Sequence, residues 1–227
     1  MLTVLPPSVD LRPGCPPTVY DQGRLGSCTA NAIAAAFEFD LAKQKLDAFM
    51  PSRLFIYYNE RVVEGTVESD SGAMIRDGIK SVAKLGVCTE ESWAYEVSRF
   101  AEKPADDCYT AALDNQALSY QRVPRTLDQM RGCLANGYPF VFGFTVYDSF
   151  EGREVAATGV VPMPGDGESI LGGHAVLAVG YDDETQRFLV RNSWGPGWGQ
   201  GGYFTIPYSY LTNRGLASDF WTISKVE

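Results

Sequence analysis

Apolar residues recur at helical spacing through the first half of the chain and in short, strand-like runs through the second. Pro51 to Val63 and Gly72 to Leu85 carry the helical period, the latter through Ile75, Ile79, Val82 and Ala83. Thr126 to Asn136 predicts a further helix, with Thr126 as its cap and Gly137-Tyr138-Pro139 as its stop. Beyond it, Phe140 to Val146, Ala175 to Tyr181, Arg187 to Arg191 and Gly202 to Ile206 predict strands separated by turn residues. One more helix is expected from Cys28-Thr29-Ala30-Asn31-Ala32-Ile33-Ala34-Ala35-Ala36-Phe37, an alanine-rich stretch entered from the glycine-broken loop Asp21 to Gly26.

Composition places these elements in a globular protein. The 227 residues, 45% hydrophobic and 21% charged, suffice for one large domain or two lobes sharing a cleft, and no repeat or low-complexity tract is visible. No segment approaches the ~18 apolar residues of a membrane span. Met1-Leu2-Thr3-Val4-Leu5-Pro6-Pro7 has neither the basic nor the apolar region of a secretory signal, so the chain reads as soluble, secreted or cytoplasmic. A net charge of -9 without clustered Lys or Arg argues against a nucleic-acid partner. The five cysteines, Cys15, Cys28, Cys88, Cys108 and Cys133, are an odd number, so at least one is left out of pairing within the chain. None are at C-x-x-C spacing, and a single histidine does not support mixed Cys/His zinc patterns, so neither a metal nor another cofactor is expected.

That histidine, His174, is the only imidazole available for proton transfer near neutral pH. Cys28 stands out among the thiols because it would begin a helix. The unpaired amides and partial positive charge there lower a thiol's pKa and favour the thiolate, the attacking species. No G-x-S-x-G elbow offers a serine nucleophile in its place.

The stretch around Cys28 resembles the papain-like cysteine peptidases, and two further motifs extend the resemblance over most of the chain. Gly173-His174-Ala175-Val176-Leu177-Ala178-Val179-Gly180-Tyr181 looks like the family's histidine strand, and Asn192-Ser193-Trp194-Gly195-Pro196-Gly197-Trp198-Gly199 like its asparagine turn. Pro7-Ser8-Val9-Asp10-Leu11-Arg12 looks like the start of a mature family domain. The resemblance implies an α+β fold, with a helical lobe over about residues 20–115 and an antiparallel, barrel-like lobe over about 116–227. The segment 1–19 would pack on the second lobe, and the active site would lie in the cleft between the two.

It also implies roles. Cys28 as thiolate would attack a peptide carbonyl beside an imidazolium at His174, giving an acyl-enzyme that water then hydrolyses. Asn192 would orient the imidazole, Trp194 would shield their hydrogen bond, and Gln22 with the Cys28 backbone N–H would receive the oxyanion. Gly72, Ala73, Met74 and Ala175 would line the main specificity pocket. Asp219 would form its floor and favour Arg or Lys in the substrate.

Peptide or protein substrates are the expected partners, with a prosegment or protein inhibitor as a further one. An acyltransferase using the same pair, or a silent peptide-binding relative, are the alternatives. Departures from the family are local. Leu25 and Arg214 stand where framework cysteines are common, Ser69-Asp70-Ser71-Gly72-Ala73 lacks the partner cysteine, and Thr29 replaces the aromatic that usually follows the nucleophile.

Overall fold

The computed structural model describes residues 4–227, and the opening Met1, Leu2 and Thr3 of the signal-sequence reading lie outside them. The central element is α1 (Cys28–Gln44), in which twelve residues from Thr29 to Leu41 are buried. A helix apolar on every side belongs inside a protein. Around it pack α2 (Arg53–Glu64), α3 (Ile75–Leu85) and the short α4 (Asp106–Ala112). Helix α2 starts where Ser52 Oγ accepts the Phe55 N–H at 3.1 Å, and it stops at Gly65, whose φ of 71° suits a residue without a Cβ. Ile75, Ile79 and Val82 form the buried stripe of α3 that their spacing predicts. Helix α5 (Leu127–Ala135) is capped by Thr126, whose hydroxyl accepts the Gln129 N–H at 3.3 Å.

Seven strands form one antiparallel sheet. They are β1 (Ser8–Asp10), β2 (Ala117–Arg122), β3 (Phe140–Tyr147), β4 (Ile170–Asp182), β5 (Arg187–Arg191), β6 (Tyr203–Pro207) and β7 (Ala217–Val226). Their order is β2-β7-β3-β4-β5-β6, with β1 paired to β4. Two short helices, α6 (Arg153–Thr158) and α7 (Tyr208–Thr212), complete the chain.

Strand β4 divides the two cores. Ala175, Leu177 and Val179 point into the helical core, while Val176, Ala178 and Tyr181 point into an aromatic core with Phe140, Phe142, Phe188 and Phe204. The side-chain period of two sorts Ala175 to Val179 in this way, and the register shift against β5 between Ala178 and Gly180 brings Tyr181 to the aromatic side. Gly180 is required where β1 crosses, since a Cβ there would lie 2.3 Å from the Val9 carbonyl oxygen.

Several elements differ from the sequence-based expectation. Strand β4 begins five residues before Ala175, because the register with β3 continues through Gly172 and Gly173, which have no side chain to signal a strand. Strand β7, which starts at Ala217 and is held between β2 and β3, has no counterpart among the predicted strands. The short α4, α6 and α7 span too few residues for a period to show. All five cysteines are free thiols, and no helix among the described residues is long and apolar enough to cross a membrane.

Candidate active site

The loop before α1 turns back on itself through Gly23, at a φ of 59°. Its shape depends on three distant anchors. The Gln22 N–H donates to the Ser193 carbonyl at 2.9 Å, the Gln22 Oε1 accepts from Ser193 Oγ at 2.6 Å, and Nε2 donates to the Leu25 carbonyl at 3.0 Å. Asp70 accepts the Gly26 N–H at 2.9 Å and the Tyr57 hydroxyl at 2.5 Å, joining the two stretches that lack the family's cysteines. Arg53 donates to Glu90 at 2.8 Å and lies against the faces of Tyr20 and Tyr95, while the Tyr95 hydroxyl donates to the Gln22 carbonyl at 3.0 Å. A buried arginine with a carboxylate and two aromatic faces is a rigid support.

Opposite this loop, β4 presents His174, 6% exposed, between Phe144, Phe150 and Trp194. The Trp194 indole stacks on the imidazole with centroids 5.0 Å apart and planes 26° apart. Trp198 meets Trp194 edge-on and packs against Phe150 and Phe204, which is a packing role. Asn192 Oδ1 lies 2.7 Å from His174 Nε2 and also accepts the Ser193 backbone N–H at 2.9 Å. Because a backbone N–H only donates, that atom of Asn192 is its oxygen, and the imidazole must carry its proton on Nε2. Nδ1 of a neutral ring is thereby left as an acceptor.

Gln22, Cys28, His174, Trp194, Ala175 and Gly72, Ala73, Met74 and Asp219 all border one cleft of about 680 Å³ between the helical and sheet halves. Asn192 stands behind the imidazole, outside the cleft lining. Asp219 lies within β7 at a φ of 60°, where the register against β3 shifts, and its carboxylate accepts the Trp221 indole N–H at 2.6 Å, so one of its oxygens is already occupied.

Burial dominates the protonation of Cys28 and His174. It pushes the Cys28 thiol up to about 11, against the lowering expected from its place at the start of α1, which the Ala175 and Thr29 backbone contacts supply only in part. It holds His174 down at about 4, with the Asn192 hydrogen bond opposing weakly. Taken singly, each group is thus drawn toward its neutral form, and a thiolate beside an imidazolium needs the two charges to face each other.

Sequence reasoning did not find Arg53, Asp70, Tyr95 or Ser193. Each acts through a partner far along the chain, and no local pattern marks it.

The family model for papain family cysteine proteases matches residues 5–222. A peptidase C1-like protein of Acanthamoeba polyphaga mimivirus is 48% identical over 215 residues, covering 91% of this chain and 69% of that protein. A cathepsin B-like protein of Giardia intestinalis is 33% identical over 223 residues, covering 90% and 70% respectively. The crystal structure of xylellain, a cysteine protease from Xylella fastidiosa, is similar at a TM-score of 0.94 and 50% identity, over 99% of this chain and 88% of that one.

Proposed function

Since the chain belongs to the papain family of cysteine proteases, we propose that it hydrolyses peptide bonds internally in peptide or protein substrates, with Cys28 as nucleophile and His174 as its proton partner. The observation that carries this reading is the orientation of the imidazole. Asn192 Oδ1 fixes the proton on Nε2, so the basic Nδ1 is the nitrogen left for the cleft that Cys28 also borders.

As substrate closes the cleft to water, the Cys28 thiol passes its proton to His174 Nδ1 while Sγ bonds to the scissile carbonyl carbon. The carbonyl π electrons move to oxygen, giving a tetrahedral oxyanion. The charges appear together and face each other, so the two groups titrate as a pair. The Gln22 Nε2 amide and the Cys28 backbone N–H donate to the oxyanion, with Gln22 held in place by Ser193. His174 returns the proton to the leaving amine as the carbon–nitrogen bond breaks. It then takes a proton from water, which attacks the thioester and releases Cys28. Trp194, stacked on the imidazole, keeps water from the bond to Asn192.

Gly72, Ala73, Met74, Ala175 and Asp219 receive the substrate side chain that selects the cleavage site. The Asp219 oxygen not bonded to Trp221 favours a cationic side chain there. A prosegment or protein inhibitor would occupy the same cleft.

Labelling with a peptidyl epoxide, read by mass spectrometry on the wild type and His174→Ala, tests the pair. A single adduct on Cys28 that depends on His174 is expected. Equal labelling of several cysteines, insensitive to His174, would sink the mechanism.

A further inference from the structure

Beneath the start of α1 lies a carboxyl group that the peptidase chemistry does not use. Glu60, on α2, is 0% exposed. Its Oε1 accepts the Thr29 hydroxyl at 2.5 Å, and Thr29 directly follows Cys28. Its Oε2 has no hydrogen-bond partner and faces Gly78 of α3, where a Cβ would come within 2.4 Å of it. The absence of a side chain at Gly78 makes room for this acid.

Among the described residues it forms no ion pair, and the cation that acts on it is Arg61. The neighbouring Arg61 directs its guanidinium to the Tyr57, Val67 and Ser69 carbonyls, at 3.0, 2.6 and 3.1 Å. The other titratable groups acting on Glu60 are Glu64 on its own helix and Asp77 on α3, both of the same sign, and from α1 Glu60 acts on Cys28. Burial and these like charges push Glu60 up to about 8, with the Thr29 hydroxyl and the Arg61 charge drawing it the other way. A carboxylate at Glu60 raises the Cys28 thiol further.

Resting on the reading of Cys28 as nucleophile, we propose that Glu60 is a positioning residue that sets the reactivity of Cys28 from below. As a neutral acid it leaves the positive end of α1 free to stabilise a thiolate, and as a carboxylate it opposes one. The helix end offers roughly half a positive charge, so one full negative charge beneath it reverses the local field. The coupling is reciprocal. A charge arriving on Cys28 makes Glu60 hold its proton more tightly, and loss of that proton to solvent makes Cys28 a weaker acid.

The test is the rate of Cys28 alkylation by iodoacetamide from pH 5 to 10, measured by mass spectrometry on the Cys28 peptide. In the wild type the rise with pH should be interrupted by a second ionisation on the alkaline side of neutrality. In Glu60→Gln, which keeps the shape and the acceptor for Thr29, that ionisation should vanish, and the rate at alkaline pH should exceed the wild type by about tenfold, one pK unit of coupling. Thr29→Val removes a hydrogen bond that favours the carboxylate, so its inflection should move to higher pH. Superimposable wild-type and Glu60→Gln profiles would overturn the proposal. Should Glu60→Gln fail to fold, an unmoved inflection in Thr29→Val would overturn it equally.

The same series in a His174→Ala background separates this proposal from the one beneath it. Indifference of wild-type Cys28 to His174 would defeat the catalytic pair. The Glu60-dependent inflection acts on the thiol directly and should persist without the imidazole.

Discussion

Because His174 is the one histidine in the chain, replacing it isolates a single imidazole in an acid titration. The perturbation is His174→Gln, which can still donate toward Asn192 but does not titrate. Burial holds the folded-state pKa at about 4, from an ordinary 6.5. A base whose pKa is depressed by folding takes up its proton more readily when unfolded. The stability it carries is fully present above the unfolded value and is lost as pH falls through the folded one. Complete loss amounts to roughly 2.5 pK units, about 3.4 kcal/mol, and at about pH 5 the loss has reached about 2 kcal/mol. Urea unfolding of both proteins at pH 7, 6 and 5, followed by tryptophan fluorescence, reads the difference, and the carboxylates common to the two cancel. The wild type should lose about 2 kcal/mol more than the variant between pH 7 and 5. Parallel curves, or a wild type that gains on the variant, would refute the reasoning. They would mean that His174 is held as an imidazolium facing a Cys28 thiolate in the resting protein.

Three further outcomes follow from the same contacts. Gln22→Ala should lower kcat by about 10²-fold, and Ser193→Ala, which only frees the Gln22 side chain, by about tenfold with little change in KM; equal losses in the two variants would contradict the separate roles. Asp219→Ala should lower the cleavage of an Arg-Arg reporter several-fold relative to Phe-Arg, and an unchanged ratio would remove Asp219 from the pocket. Asp40, 1% exposed in α1 with both carboxylate oxygens unpartnered, is pushed by burial from 3.8 up to about 7. A raised carboxyl pKa gives stability present below the unfolded value and lost as pH rises through the folded one, so Asp40→Asn should stabilise the protein by up to about 4 kcal/mol at pH 8.5 and by much less at pH 5. Equal shifts at the two pH values, measured by urea unfolding, would show that Asp40 does not titrate in this way.

The parts of the site that were legible in the sequence are those whose physics is local. Cys28 opens α1 because an alanine-rich run follows a glycine-broken loop, and both signals lie within a few residues of it. His174 sits on a strand because its neighbours are small and apolar, and Asn192 lies 18 residues away at the end of the paired strand β5. The supports were hidden for the opposite reason. Asp70 holds Gly26 across 44 residues, Gln22 meets Ser193 across 171, and Thr29 finds Glu60 across 31, so each pairing exists only once the chain has folded. The beginning of β7 was hidden because Ser218 and Asp219 are polar and break the apolar run, while the strand is defined by its pairing with β2 and β3.

The burial that opposes a charge on Cys28 was hidden for the same reason. A helix terminus is a local attribute that a sequence displays, whereas dryness is created by side chains from α2, β4 and the Gln22 loop together. At Cys28 the two oppose each other, and burial wins until a second charge arrives at His174. On the proposed reading, the thiol is a weak acid alone and a nucleophile as one member of a pair. Among five free cysteines, only Cys28 shares its cleft with the imidazole, so a selective nucleophile can arise without any residue that marks it as reactive by itself.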